Sequence, residues 1–230
     1  MTTAPTATEA AATNAAWCAA VCASHGIATR VDAHRWWAPQ RTPDLYPDAQ
    51  TLTSGVSTNA LVAGIDVSSG CAVKDSFADV DLAQMGFAVL FEARWLWFQH
   101  VGAAVGSSSG DVVSSAADFD RWTAAWGSSH PGDARSPWRL PLLHQPGVHL
   151  FSWAAGGNAV TAGCAVFVGT SAATVSNTFA VPGHPGPSAT DVLGAAASVA
   201  DGRPLTGYDP SRSSRASAVD LGPLRVWTRD

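Results

Sequence analysis

Lysine is nearly absent from this chain: Lys74 stands alone beside 12 arginines, which together make the 13 basic residues. Chemistry that needs a side-chain ammonium, as a Schiff base does, has one position to use. Charge of either sign is scarce, at 13% of residues where about a quarter is usual. The net charge is -5 and the bases are scattered. The clustered cations that displace counterions from a phosphate backbone are therefore missing, which excludes a nucleic-acid partner. An anionic membrane surface is disfavoured on the same ground. Cysteine is sparse too, and Cys18, Cys22, Cys71 and Cys164 read as free thiols because their spacing is not that of a secreted disulfide framework. Residues 1–16 carry neither a basic nor an apolar leader segment. No run of about 18 apolar residues follows, so the expectation is a cytoplasmic protein with no membrane partner.

What the sequence does have is apolar bulk: 47% hydrophobic residues and ten tryptophans in 230 positions. That length suits one or two domains of about 150 residues and buries a sizeable core without disulfides or metals. Residues 1–8, rich in Thr and Ala, read as a disordered tail. A helix follows with Thr8 as N-cap, Glu9 in its first turn and Gly26 as its stop. Residues 28–37 read as extended, and 38–48 (APQRTPDLYPD) as a loop because three prolines forbid helix. A short helix near 57–65 precedes a strand over 87–98, where Phe87, Val89, Phe91, Ala93, Trp95 and Trp97 alternate to one face. The Gly/Ser-rich stretch 102–116 is the linker candidate, dividing a first region over 9–101 from a second over 117–230.

The second region opens on an amphipathic helix carrying Phe119, Trp122 and Trp126 at helical spacing. Strands over 148–154 and 159–169 flank Ala155-Gly156-Gly157-Asn158, a hairpin signal. A strand over 174–180, a helix over 188–200 and strands over 203–208 and 221–227 complete the order.

No nucleophile elbow, Walker loop or dinucleotide fingerprint is present. Lys74, Asp75 and Ser76 form the most polar cluster of the first region. Lys74 can serve as a Schiff-base former or anion clamp and Asp75 as a base, or the group is a solvated turn with Asp75 capping Ser76-Phe77. Strand alternation puts Lys74 and Ser76 on one side and Asp75 on the other. Asn177 lies between Val175 and Phe179, so either the sheet or a ligand supplies its amide with partners, and Ser176 reads as structural. Of the pair Trp36-Trp37, at most one lines a pocket, and Trp37 is the candidate. Cys18, Cys22 and His25 share a helical face but lack the spacing and number of a structural zinc site, so no metal is expected.

The stretches VHLFSWAAGGNAVTAGCAVFVG, TVSNTFAVPG and RPLTGYDP…LGPLRVW, in this order of elements, resemble the core of the GCN5-related N-acetyltransferase (GNAT) family. They are similar to an actinobacterial group within it, and APQRTPDLYPDAQTL with AVKDSFADVDL resembles that group's amino-terminal partner region. The resemblance implies an α/β (α+β) fold with a mixed, mostly antiparallel sheet flanked by helices and splayed at its middle to take the pantetheine arm of acyl-CoA. The activity it implies is transfer of an acyl group from acyl-CoA or another thioester to an amine of a small-molecule substrate. Tyr208 would then protonate the thiolate, Asp75 deprotonate the amine through water, and amides around Asn177 polarise the carbonyl. Lys74, Ser76 and Trp37 fall to substrate binding. The family's pyrophosphate loop is replaced by Val181-Pro182-Gly183-His184-Pro185-Gly186-Pro187-Ser188. Three prolines there remove N–H donors, leaving Gly183, Gly186 and Ser188 as the anion-binding remnant. A non-catalytic binding or scaffold protein, and another enzyme on the same scaffold that does not use acyl-CoA, stay open alternatives, as does a homodimer.

Overall fold

The alanine-rich run after Thr6 suits a helix by intrinsic propensity, and it forms α1 (Ala7–Ser24). Thr6 rather than Thr8 is the N-cap. Its hydroxyl accepts from the Glu9 amide while the Glu9 carboxylate accepts from the Thr6 amide, a reciprocal box that needs a spacing of three. Part of the expected tail is thus helix start. The computed structural model describes residues 3–99, 110–130, 132, 135–154, 159–209 and 218–230.

Around α1 the chain lays down one continuous sheet. Its strands are β1 (Arg30–Val31), β2 (Arg35–Trp37), β3 (Ala49–Thr51), β4 (Ala72–Asp75), β5 (Ala88–Phe98), β6 (Asp111–Val112), β7 (Val148–Ala154), β8 (Val160–Val168), β9 (Ala173–Ala180), β10 (Leu205–Asp209) and β11 (Ala218–Thr228). The order is β1-β2-β3-β4-β11-β5-β10-β9-β8-β7-β6. Neighbours are antiparallel except β3 with β4 and β9 with β10. The helices are α1, α2 (Thr58–Val62), α3 (Ala116–Ser129) and α4 (Ala189–Val199). This is the α+β sheet with flanking helices that the sequence led us to expect.

The last strand, β11, lies between β4 and β5, so the carboxyl terminus is stitched into the first half of the chain. Of the expected linker 102–116, residues 102–109 lie outside the described residues, while Asp111–Val112 is edge strand and Ser115 caps α3. The turn signal Ala155 to Asn158 also lies outside them, although β7 and β8 pair as a hairpin does.

Helices α1 and α3 cover one face of the sheet. Trp17, Val21, Phe119, Trp122, Trp126, Trp138 and Phe179 make its core. Helix α4 covers the other face through Val192, Leu193 and Ala196, against Phe151, Cys164 and Val166. The alternation read for 87–98 does not persist along β5. A bulge opposite Val226/Trp227 shifts register between Val89 and Phe91. Phe87 therefore packs with Val73 and Trp227 on one face, and Phe91, Ala93 and Trp95 with Leu224 and Val226 on the other. An extra residue in a strand reverses the facing of everything beyond it.

Candidate functional site

Strands β9 and β10 pair over two residue pairs only, Leu205 with Ala173 and Thr206 with Thr174. Past these the strands part. The cause lies in β9, where Asn177 takes a left-handed backbone (φ 52°) and the pairing with β8 slips between Gly163 and Ala165. Such a bulge bends its strand, while β10 stays aligned with β5 over all five of its residues. The two facing edges are left with backbone N–H and C=O groups that pair with no strand, and groups of that kind seek a partner.

On the α4 side the gap widens into a cavity of about 310 Å³ lined by Val175, Thr178, Val192, Leu193, Gly207 and Tyr208. Gly207 keeps it open. A Cβ there would lie 3.0 Å from the Phe98 ring and 3.2 Å from the Val175 carbonyl oxygen.

On the α1 side the same gap is bordered by side chains from five elements. Tyr208 is clamped edge-on to Trp95 (5.5 Å between centroids) and stacked beside Phe91 (6.3 Å). It is half-buried, and its hydroxyl has no hydrogen-bond partner among the described residues. The Lys74 ammonium sits 4.5 Å from the centre of the Tyr208 ring and 6.0 Å from that of Trp95, and donates to Asn14 Oδ1 at 2.7 Å. Asn177 Oδ1 accepts from Ser176 Oγ at 2.7 Å and from the Tyr46 hydroxyl at 3.3 Å. Burial holds Tyr46 well above the ordinary tyrosine range, with the nearby Cys18 and Tyr208 adding to the effect. It stays a donor at every physiological pH.

Tyr46 is delivered by the proline-rich loop. Asp48, almost wholly buried, ties that loop down by accepting from Arg41, from the Thr42 amide and from the Ala72 amide. Leu45 beside it carries a left-handed backbone (φ 71°).

The residues singled out from the sequence divide cleanly. Tyr208, Lys74 and Asn177 border one gap. Ser76 shares the Lys74 face, where its hydroxyl accepts from Gln50 Nε2 at 3.1 Å. Asp75 does not reach the site. It points to the opposite face, where its carboxylate accepts from the Phe77 and Val80 amides at 3.2 and 2.9 Å and caps that turn. Trp37 is also on that far face, packed near Val73 and Leu61 under the Arg35 guanidinium at 4.0 Å. Its neighbour Trp36 faces the α1 side instead. Asn177 differs from its expected setting: the bulge puts Val175 toward α4 and Phe179 toward α3, and Ser176 becomes a direct partner of the amide.

Sequence reasoning passed over Tyr46, Asn14, Gln50 and Gly207. Two signals were there: Tyr46 and Tyr208 are the only tyrosines in the chain, and Thr13 and Asn14 are adjacent polar residues in the middle of an alanine-rich helix. The cysteines offer no nucleophile, since burial pushes Cys22, Cys71 and Cys164 up to about 12.

The proline-rich turn before α4 can be accounted for donor by donor. Pro182, Pro185 and Pro187 have no N–H. The His184 amide donates to the Val181 carbonyl, the Val181 amide to Thr161, and the Ser188 amide to the Asp191 carboxylate at 2.9 Å. Gly183, with φ 84°, makes the turn. The amides of Gly183, Gly186, Ala189 and Thr190 remain without partners among the described residues. The Asp191 carboxylate already occupies the positive end of the helix.

No family model and no curated protein matches this sequence. Solved structures do match the fold. A GCN5-related N-acetyltransferase from Kribbella flavida superposes with a TM-score of 0.61 at 12% identity, over 96% of this chain and 95% of that one. A GNAT-family protein from Novosphingobium aromaticivorans gives 0.55 at 12% identity, over 93% and 96%. A conserved protein of unknown function from Staphylococcus epidermidis gives 0.55 at 9%, over 87% and 92%. The chain is GNAT-like in fold, in agreement with the resemblance carried by its motifs. Among the described residues no helix is long and apolar enough to cross a membrane.

Proposed function

We propose that this protein is an N-acyltransferase that moves an acyl group from a thioester to the amine of a small molecule. The observation that carries the reading is the gap between β9 and β10, with a cavity on one face of the sheet and a polar cluster on the other. A pantetheine arm is a chain of amides, and the unpaired strand edges are suited to take it as a partial third strand. A bound acyl thioester supplies the electrophilic carbonyl and the thiol leaving group. The residues of this chain then have separate tasks. The bulge at Asn177 turns backbone amides toward the gap, Tyr208 holds a proton on a hydroxyl with no partner among the described residues, and the ring clamp of Trp95 and Phe91 fixes it. Tyr208 gives that proton to the departing thiolate, and the attacking amine loses its own to water. Asp75 has no part in this, because it lies across the sheet.

The far end of coenzyme A fits less well. Residues 181–200 contain no lysine or arginine, three of the loop residues have no N–H, and Asp191 places a carboxylate at the helix end. We infer that the donor is gripped by its pantetheine arm, with little contribution from the diphosphate. The same features favour the second reading, a GNAT-like scaffold that binds no thioester.

Calorimetry with acetyl-CoA, CoA and acetyl-pantetheine separates the two. Acyl transfer requires that acetyl-CoA or acetyl-pantetheine bind and that Gly207→Val, which fills the gap, abolish binding, and the pantetheine grip requires that the two donors bind within about tenfold of each other, a gap of about 1.4 kcal/mol. Indifference to all three compounds would sink the acyltransferase reading.

A further inference from the structure

The one lysine of the chain is 4% exposed and has no carboxylate partner among the described residues. The cations of the ion pairs among the described residues are all arginines, and of these only Arg35 is buried. An ammonium has three donors. Lys74 spends one on Asn14 Oδ1, and beside it lie the faces of Tyr208 and Trp95 and the neutral thiol of Cys18. Burying a charge in this way is costly unless an anion compensates it, and an apolar side chain of similar length would fill the volume more cheaply.

A second polar group beside it is also incomplete. Gln50 stands next to Lys74 on the parallel neighbour β3, the two being register partners on one face. Gln50 is fully buried. Its Nε2 donates to the Ala11 carbonyl and to Ser76 Oγ, which fixes the orientation of the amide, and its Oε1 has no partner. One face of the sheet therefore sets a cation with spare donors beside an acceptor with nothing to accept. This pair lies under α1, and Tyr208 and Asn177, both half-exposed, stand toward the gap.

We propose that Lys74 anchors the carboxylate of the acceptor, so that the acceptor is an amine that also carries a carboxylate, with the α-amino acids as its simplest class. The carboxylate takes the spare donors of the ammonium, and Gln50 Oε1 accepts from an N–H of the same molecule. The amine is then carried beside Tyr208, whose ring contacts the ammonium and whose hydroxyl has no partner among the described residues. The transfer balances as before: a C–N bond forms, the C–S bond breaks, the thiolate takes the Tyr208 proton and the amine gives one to water. This assignment rests on the acyltransferase reading for its chemistry, but the binding it predicts can be measured without turnover.

The test is calorimetry of the intact protein with a panel of α-amino acids, each paired with the amine it becomes on losing its carboxylate, for wild type and Lys74→Met. At least one amino acid should bind about thirtyfold or more tightly than its paired amine, the effect of removing one member of a desolvated charge pair. Lys74→Met should erase that preference. The inference is overturned if no amino acid is preferred over its amine, or if the preference survives in Lys74→Met. Should Lys74→Met fail to fold, the wild-type comparison decides alone. Amino-acid binding with no thioester binding would sink the acyltransferase reading and keep the carboxylate site, whereas thioester binding with no carboxylate preference would do the reverse.

Discussion

Asp75 shows how a residue with catalytic credentials can be consumed by the backbone. It is fully buried, and burial raises its carboxyl above the usual carboxylate range against the opposing pull of the Val80 and Phe77 amides. The folded state thus holds the proton more tightly than the unfolded chain, whose reference value is 3.8. The stability it contributes is fully present below that value and is lost as pH rises through the folded one. Asp75→Asn cannot titrate, and its amide can accept from only one of the two N–H donors, at a cost of about 1–3 kcal/mol. Urea unfolding across acidic to neutral pH should find the variant less stable at low pH and the gap narrowing as pH rises. A gap that widens would contradict this account. Lys74, one position away, faces the other side of the sheet and the gap, and the difference between the two is strand alternation alone.

At the scale of elements, three helices carry the same device. Thr6 with Glu9, Ser115 with Asp118 and Ser188 with Asp191 are reciprocal capping boxes. The first two are structural, but the third stands where a diphosphate would need the helix end. Asp191→Asn should therefore cost about 0.3–1 kcal/mol of stability. It should also raise the preference for acetyl-CoA over acetyl-pantetheine by about two- to fivefold, the equivalent of that energy. Calorimetry with both donors reads the ratio directly, and an unchanged ratio would mean the diphosphate does not approach α4. The spacing of these boxes is written in the sequence. The bulges in β5 and β9 are not, because a left-handed Asn177 or a slip opposite Val226/Trp227 is decided by the neighbouring strand. For that reason the order of elements in the second region was legible while the short strands β3, β4 and β6 and the facing of Phe87 and Asn177 were not.

For the whole molecule the decisive strand is β11, which pairs with β5 along its length and with β4 across four residues. Leu224 on it is wholly buried against Ala93 and Trp95. Leu224→Ala should cost about 2–5 kcal/mol, the range for a fully packed core position. Because that strand joins the two halves of the chain, the loss should appear as one cooperative transition, with tryptophan fluorescence and far-ultraviolet dichroism coincident. Separate transitions would mean that the halves fold independently.

The sequence by itself determined the order of helices and strands in the second region, the thin charge, the blocked loop before α4 and the singularity of Lys74. These are local or compositional properties, set by periodicity, capping and side-chain chemistry within a few residues. Only the tertiary structure decided the site, because its contacts span great distances along the chain. Tyr46 meets Asn177 across 131 positions and Lys74 meets Asn14 across 60. Such pairs are chosen by the packing of α1 over the gap and by the bulge that opens it, and no window of sequence contains both partners.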